Sequence, residues 1–275
     1  MFVLKYSKTE LVVRYVLLVL LLIFFLFPIY WLVVTSLKTQ VDIFAMPPKW
    51  VFVPTLKNYV HVLFHTTYPH MAKNSLIAAG TNVILSMLIG TFAAYAISRF
   101  KVGTKNLLYW FLGIRMLPPI VASIPLFLIA AQLRLIDTYV ILPILYLTLN
   151  LPFVVWMMKS FIDEIPVEIE ESALIDGCSH FGAMMRVVLP LAAPGLVATA
   201  VFCFIMAWNE FLFAMIFTRA TAVTLPVGIS GFITEEQILW GYITAAAAVA
   251  AIPPVVFALV FQRYIVRGLT FGAVK

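Results

Sequence analysis

Residues 15–37 read YVLLVLLLIFFLFPIYWLVVTSL, twenty-three positions without a single charged side chain. Crossing the hydrocarbon core of a bilayer as a helix takes roughly 20 apolar residues, so this segment alone is long enough to span. Strands of a membrane barrel would be shorter and would alternate between apolar and polar positions; this run does neither. Five more long apolar runs follow, at 75–98, 107–130, 139–158, 191–217 and 243–262, and two of them carry a lone charge, Arg115 and Glu210. The composition agrees, with 64% hydrophobic and 11% charged residues and a mean hydropathy of +1.07. A soluble domain carries about a quarter charged residues. The expected fold class is therefore all-α integral membrane, with six transmembrane helices in a single membrane domain over residues 1–275.

Lys5 and Lys8 precede the first run, which raises a cleaved signal peptide as an alternative. The run exceeds a signal peptide's apolar region and no small-x-small site follows it, so a retained anchor is expected. Ser7 and Glu10 fit a capping box at its start. If the N-terminus is cytoplasmic, the inner segments 1–14, 99–106, 159–190 and 263–275 hold eleven Lys and Arg residues against six in the outer segments. Loops rich in Lys and Arg stay on the cytoplasmic side, which places both termini there, in the inner (cytoplasmic) membrane. That arrangement accounts for the net charge of +6. No basic stripe interleaved with aromatics calls for a nucleic acid. Cys178 and Cys203, one in a loop and one in a span, make no disulfide framework.

Of the twelve acidic residues, six fall between Asp163 and Asp176, in the cytoplasmic loop 163–190. Pro166 suits the first turn of a helix, because the amide it lacks has no partner there. The acidic residues that follow suit the positive end of the helix dipole. Ile165, Ile169 and Ala173 form a narrow apolar stripe beside a carboxylate face, and Gly177 can take the left-handed conformation that ends a helix. A second short helix is expected after Ser179 as N-cap, with Phe181, Met184, Met185 and Val188 on one face and Pro190 closing it. A solvated acidic loop is the alternative; the Phe and Met face argues for a contact site instead.

Glu171-Ser172-Ala173, three residues, Gly177, nine residues and Val187-Val188-Leu189-Pro190 resemble the EAA loop of ABC importer permeases. That pattern reads Glu-Ala-Ala, three residues, Gly, nine residues, Ile-x-Leu-Pro; the departures are Ser172 for Ala and Val187 for Ile. Trp208-Asn209-Glu210-Phe211 and the ending Gly268-Leu269-Thr270-Phe271-Gly272-Ala273-Val274-Lys275 resemble the MalG-like subunits of the sugar-importer branch. The resemblance implies a type I importer permease for a carbohydrate or polyol-like solute. It implies as partners a second, MalF-like permease subunit, two ABC ATPase subunits holding ATP and Mg, and a solute-binding protein, with no cofactor on this chain. It further implies that Glu170, Glu171, Ser172, Ala173, Asp176, Gly177, Leu189 and Pro190 belong to the ATPase-coupling loop. Gly268, Leu269, Thr270 and Gly272, in the tail 263–275, would then enter between the ATPases.

The residues bear on the same question without that likeness. No Gly-x-x-x-x-Gly-Lys-Ser/Thr phosphate loop is present, so ATP hydrolysis is not expected of this chain and it is not expected to be an enzyme. Ion-coupled carriers carry internal repeats and intramembrane carboxylates; here Glu210 is the one acid in a span, and a partner that supplies energy fits better. Trp208, Asn209 and Glu210 are candidates for the solute path, since sugars stack on aromatics and bond to amides; a structural hydrogen bond is an equal alternative for Glu210. Arg115 either faces the solute path or pairs with a carbonyl freed by Pro118 and Pro119, and the structural role is the one expected. His61, His65 and His70 lack neighbouring Cys or carboxylates and are read as surface residues, with no metal expected. Gly228-Ile229-Ser230-Gly231 resembles the nucleophile signature of rhomboid proteases, but no histidine follows to act as base. Two alternatives stay open: an importer permease for another small solute (an amino acid, or a phosphate-containing or sulfonated sugar), and a non-transport membrane scaffold.

Overall fold

The computed structural model describes residues 8–270, all of whose helices are named here in chain order. They are α1 (Lys8–Ser36), α2 (Gln40–Ile43), α3 (Lys57–Phe64), α4 (Tyr68–Phe100), α5 (Thr104–Met116), α6 (Pro119–Gln132) and α7 (Ile141–Asp163). After these come α8 (Val167–Ile175), α9 (His180–Ala183), a π-helix (Met184–Val188), α10 (Leu189–Leu191), α11 (Ala193–Trp208), α12 (Leu212–Phe217), α13 (Leu225–Ser230) and α14 (Trp240–Thr270). The fold is all-α, with membrane-length segments Thr9–Ser36, Tyr68–Phe100, Ile141–Asp163 and Trp240–Tyr264. Two bent pairs, Asn106–Met116 with Pro119–Gln132 and His180–Leu191 with Ala193–Trp208, bring the number of spans to six if each pair counts as one. Ser7, expected to cap the first helix, lies outside the described residues.

The chain divides into two compact units, one of residues up to 68 together with 229–250, the other of 69–228 together with 251 onward. In the first, residues 15–30 of α1 are apolar on nearly all sides and exposed throughout, the pattern of a helix whose surroundings are lipid or another protein. The chain beyond α1 folds back on its end. The Ser36 and Tyr59 hydroxyls lie 2.6 Å apart, and Asn58 Nδ2 donates to the carbonyls of Ser36 and Lys38 at 2.8 and 2.9 Å. The Lys38 ammonium is buried, donates to the Lys49 carbonyl at 2.7 Å and lies 4.9 Å over the Trp31 ring. His61 stacks on Tyr242 with ring centroids 4.3 Å apart.

The second unit is held by α4, α7 and α11. Its apolar core joins Ala94 and Tyr95 of α4, Val154, Met158 and Ile162 of α7, Met184 and Val188 of the π-helix, and Cys203 of α11. Small residues let the helices close in: a Cβ on Gly90 would meet Val154 at 2.6 Å, and one on Gly195 would meet Phe161 at 2.3 Å. A buried polar seam crosses the same three helices. Asn150 Nδ2 donates to Asn82 Oδ1 at 2.6 Å and to the Cys203 carbonyl at 3.0 Å, while Asn82 Nδ2 donates to the Pro143 carbonyl at 2.9 Å. In hydrocarbon such side chains must find protein partners.

Opposite the loop end, Asp137 ties two connections together. Its carboxylate accepts from the amides of Arg219, Ala220, Thr221 and Ala222 at 2.9 to 3.1 Å. Partial burial opposes ionisation of Asp137, but the four amides outweigh it and hold the carboxyl well below the usual carboxylate range.

Two expected spans are not single helices. The run 107–130 breaks between Met116 and Pro119, where α5 and α6 meet at 88°. Leu117 and Pro118 are both extended, with ψ of 124° and 126°, because each precedes a proline and the following ring disfavours the helical conformation. The run 191–217 bends by 76° at Ala192 and breaks again at Asn209–Phe211, before α12. Arg115 is exposed rather than paired with a carbonyl; its guanidinium lies 5.0 Å from the Phe153 ring centre and 3.7 Å from Met206 Sδ.

Candidate functional site

The loop 163–190 is built from its caps inward. Pro166 is the N-cap of α8, one residue before its expected place, with ψ 132°. Glu168 and Glu170 fall in the first turn of α8, where the dipole favours them. At the other end the Asp176 amide bonds the Ser172 carbonyl, the Gly177 amide that of Leu174 and the Cys178 amide that of Ala173, all at 3.0 Å. Gly177 sits at φ +90°, as the sequence led one to expect. A Cβ there would meet nothing within 4 Å, so glycine is needed for its backbone and not for space. Ser179 then caps α9, its Oγ accepting the Gly182 amide at 3.1 Å.

The buried face of α8 is not the expected stripe. Ile165 is buried, but Ile169 is exposed and Glu170 points inward, its side chain 5% exposed. Arg99, 8% exposed, donates from Nε to Glu170 Oε2 at 2.7 Å and from Nη2 to the Ile165 carbonyl at 3.0 Å. The Tyr95 hydroxyl donates to Glu170 Oε1 and lies 3.3 Å from the His180 carbonyl. With both oxygens engaged, the carboxylate is paired and satisfied. Removing one partner of such a pair costs about 3–5 kcal/mol. Sequence reasoning missed Tyr95 and Arg99. The signal available was an arginine at the C-terminal end of a long apolar run, with a surplus of acid in the loop 163–190.

The second short helix also differs. Met184 and Val188 are buried, whereas Phe181 and Met185 are exposed, at 62% and 45%, so the four do not share a face. The i→i+5 turn of Met184–Val188 changes the angular step along the helix and parts the two stripes. Phe181 stacks on Phe92, rings 7° from parallel. Facing solvent are Glu171, Ser172, Asp176, Gly177 and Pro190, with Ala173 and Leu189 half-buried. The solvent-facing surface of the loop thus keeps Glu171 and Asp176, while Glu170 on its other side is locked to α4.

The other candidate residues lie in α11 and just beyond it. Trp208 is buried and stacks on Phe204, which stacks in turn on Phe257 at 4.4 Å. Asn209 is exposed and donates from Nδ2 to the Ile205 carbonyl at 2.8 Å. Glu210 lies within the break, one residue before the N-cap Phe211, and accepts the amides of Phe213 and Ala214 at 2.9 and 3.2 Å, so its carboxylate caps α12 from the preceding turn. Of the tail, Gly268, Leu269 and Thr270 are described only as the backbone of the last turn of α14, and Gly272 lies outside the described residues.

Comparison with known proteins gives a consistent picture. Residues 86–271 match the family described as "Binding-protein-dependent transport system inner membrane component". The chain is 38% identical to the probable ABC transporter permease protein y4oR of Sinorhizobium fredii, over 91% of each chain. It is 39% identical to the trehalose/maltose transport system permease protein MalG of Thermococcus litoralis, over 94% of each. Among solved structures, a chain of a bacterial ABC transporter involved in import of the acidic polysaccharide alginate superposes with a TM-score of 0.77. That match covers 94% of this chain and 98% of that one at 22% identity, a likeness of fold.

Proposed function

Because the chain belongs to the family of binding-protein-dependent transport inner membrane components, the permease subunits of ABC importers, we propose that it forms half of a translocation path for a carbohydrate or polyol-like solute, as a MalG-like subunit. The relative that transports trehalose and maltose supports the solute class. The observation that carries the coupling role is the seating of α8, which spends Glu170 on Arg99 and leaves Glu171, Ser172 and Asp176 in solvent. A partner ATPase meets there a short helix that is fixed from behind and charged in front. Leu189 and Pro190 close this loop, and Ala173 packs at its edge. A second permease subunit covers the apolar surface of α1, both termini are cytoplasmic, and a binding protein delivers the solute from the other side. Co-purification with ABC ATPase subunits, followed by solute- and binding-protein-stimulated ATP hydrolysis in proteoliposomes, tests the whole reading. A chain that retains no ATPase is a scaffold, and stimulation by amino acids but not sugars reassigns the solute.

Within the path, Asn209 is the exposed polar side chain, and Glu210 holds the break that presents it. Glu210→Ala is expected to lower uptake several-fold while the complex still assembles, because α12 loses its cap, which is worth about 1 kcal/mol. Failure to assemble would leave Glu210 only a structural part. For the tail, deletion of Gly268–Lys275 is expected to abolish transport or alter ATP hydrolysis with expression unchanged. Wild-type uptake by the truncated complex would make the tail an interfacial anchor, not an insertion between the ATPases.

A further inference from the structure

Besides the apolar packing of Met184 and Val188 in the shared core, three routes join the docking loop to the membrane bundle, and they differ in stiffness. The covalent route into α7 passes through Glu164, Ile165 and the extended Pro166. The covalent route into α11 passes through Gly177 at φ +90°, the π-helix and the 76° bend at Ala192. Each contains a non-helical joint. The third route is not covalent and has no joint, because it ends on α4, one helix from Tyr68 to Phe100.

Three side chains of α4, at Tyr95, Ser98 and Arg99, lie on one face by their spacing and take hold of the loop at four places. Arg99 holds the Glu170 carboxylate and the Ile165 carbonyl. Tyr95 reaches Glu170 of α8 and the His180 carbonyl of α9, so one hydroxyl gathers both short helices on either side of the Gly177 turn. Ser98 donates to Asp163, which also pairs with Lys159. Charge-assisted bonds of this kind are short and directional; the Arg99–Glu170 pair is buried where water competes little, while Ser98 and Asp163 meet at the exposed rim. Further along, α4 meets α7 at Gly90 and Val154 and feeds the Asn82–Asn150–Cys203 seam.

We propose that α4 is the lever through which movement of the docking loop enters the membrane, with Arg99 and Tyr95 as positioning residues that fix α8 and α9 to it. The inference rests on the coupling reading of the loop. It adds that the force path is the side-chain tie to α4 and not the backbone leading into α7 or α11.

The test uses the complete transporter in proteoliposomes, read as solute moved per ATP hydrolysed. Arg99→Gln is expected to lower that ratio roughly tenfold, the scale of an ordinary coupling energy. Arg99→Lys is expected to recover part of it, and the exchange Arg99→Glu with Glu170→Arg to recover more than either single change. An unchanged ratio in Arg99→Gln, or strictly additive effects in the exchange, overturns the proposal. A second measurement leaves the tie intact. Spin labels at Leu88, exposed on α4, and Glu168 are expected to keep their distance between nucleotide-free and ATP-bound states, while labels at Ser160 and Glu168 change theirs. The reverse pattern overturns the lever even if the Arg99 variants fail to assemble. Failure of the coupling reading itself would look different, because the wild-type chain would then retain no ATPase.

Discussion

Uptake through the assembled transporter is expected to fall tenfold or more in Gly177→Val and in Glu171→Lys, with membrane insertion intact in both. The two changes act on different links of one chain of cause. Gly177 stands at φ +90° and its missing Cβ would face open space, so valine creates no clash and its whole effect is on the backbone. Holding an L-residue in the left-handed region costs roughly 1–2 kcal/mol, and β-branching at Cβ adds to this. The loop relieves the strain by turning elsewhere, which breaks the three hydrogen bonds that close α8 and tilts its exposed face. Gly177→Asn, which tolerates this conformation better, is expected to retain more uptake than the valine variant. Glu171→Lys leaves the turn alone and reverses the charge that α8 presents to solvent. Its defect is expected in ATPase retention, measured as the amount of ATPase that co-purifies, whereas Gly177→Val is expected to retain ATPase and lose uptake. Normal transport and normal complex yield in both variants would remove the loop from the coupling path.

What could be read from the sequence here was whatever local rules decide. The cap at Ser179, the start of α8 near Pro166 and the left-handed Gly177 each depend on a few neighbouring residues, and all three were legible. The inward turn of Glu170 was not, because its partner Arg99 lies 71 residues upstream and no periodicity announces it. By pattern alone Ile169 is the better core residue; the buried cation at Arg99 reverses that order, since an unpaired charge there costs more than an exposed isoleucine. The breaks in two spans have visible local causes. Pro118-Pro119 falls inside the expected single span 107–130, but tandem prolines put two successive residues into extended conformations. Glu210 is a lone acid in the expected continuous span 191–217, whereas in the structure it accepts the amides that the break itself exposes. The π-helix had no local signal at all, because an i→i+5 turn is stable only where packing on the core outweighs its poorer geometry.

The largest loss of stability from a single small change is expected at Gly195, where the loop passes into α11. A Cβ at this position would lie 2.3 Å from Cγ and 2.4 Å from Cδ2 of the Phe161 ring, and ring atoms so close to the backbone cannot swing clear as a chain end can. Gly195→Val must therefore either displace Phe161 or push α11 away from α7. Overpacking of this kind costs about 1–3 kcal/mol, and without water to drive helices together, close contact between small residues supplies much of their association. Gly113 is the control, because a Cβ there meets nothing within 4 Å, and Gly113→Ala gains about 1 kcal/mol of helix propensity. The measurement is the temperature at which half of the detergent-solubilised chain remains monodisperse. It is expected to drop by several degrees in Gly195→Val and to stay level or rise in Gly113→Ala. Phe161→Ala opens the space that the new side chain needs, so the pair Gly195→Val with Phe161→Ala is expected to be more stable than the sum of the single effects. Strict additivity in that cycle would mean that the ring and the glycine do not meet, and the close approach of α7 and α11 behind the docking loop would have to be abandoned.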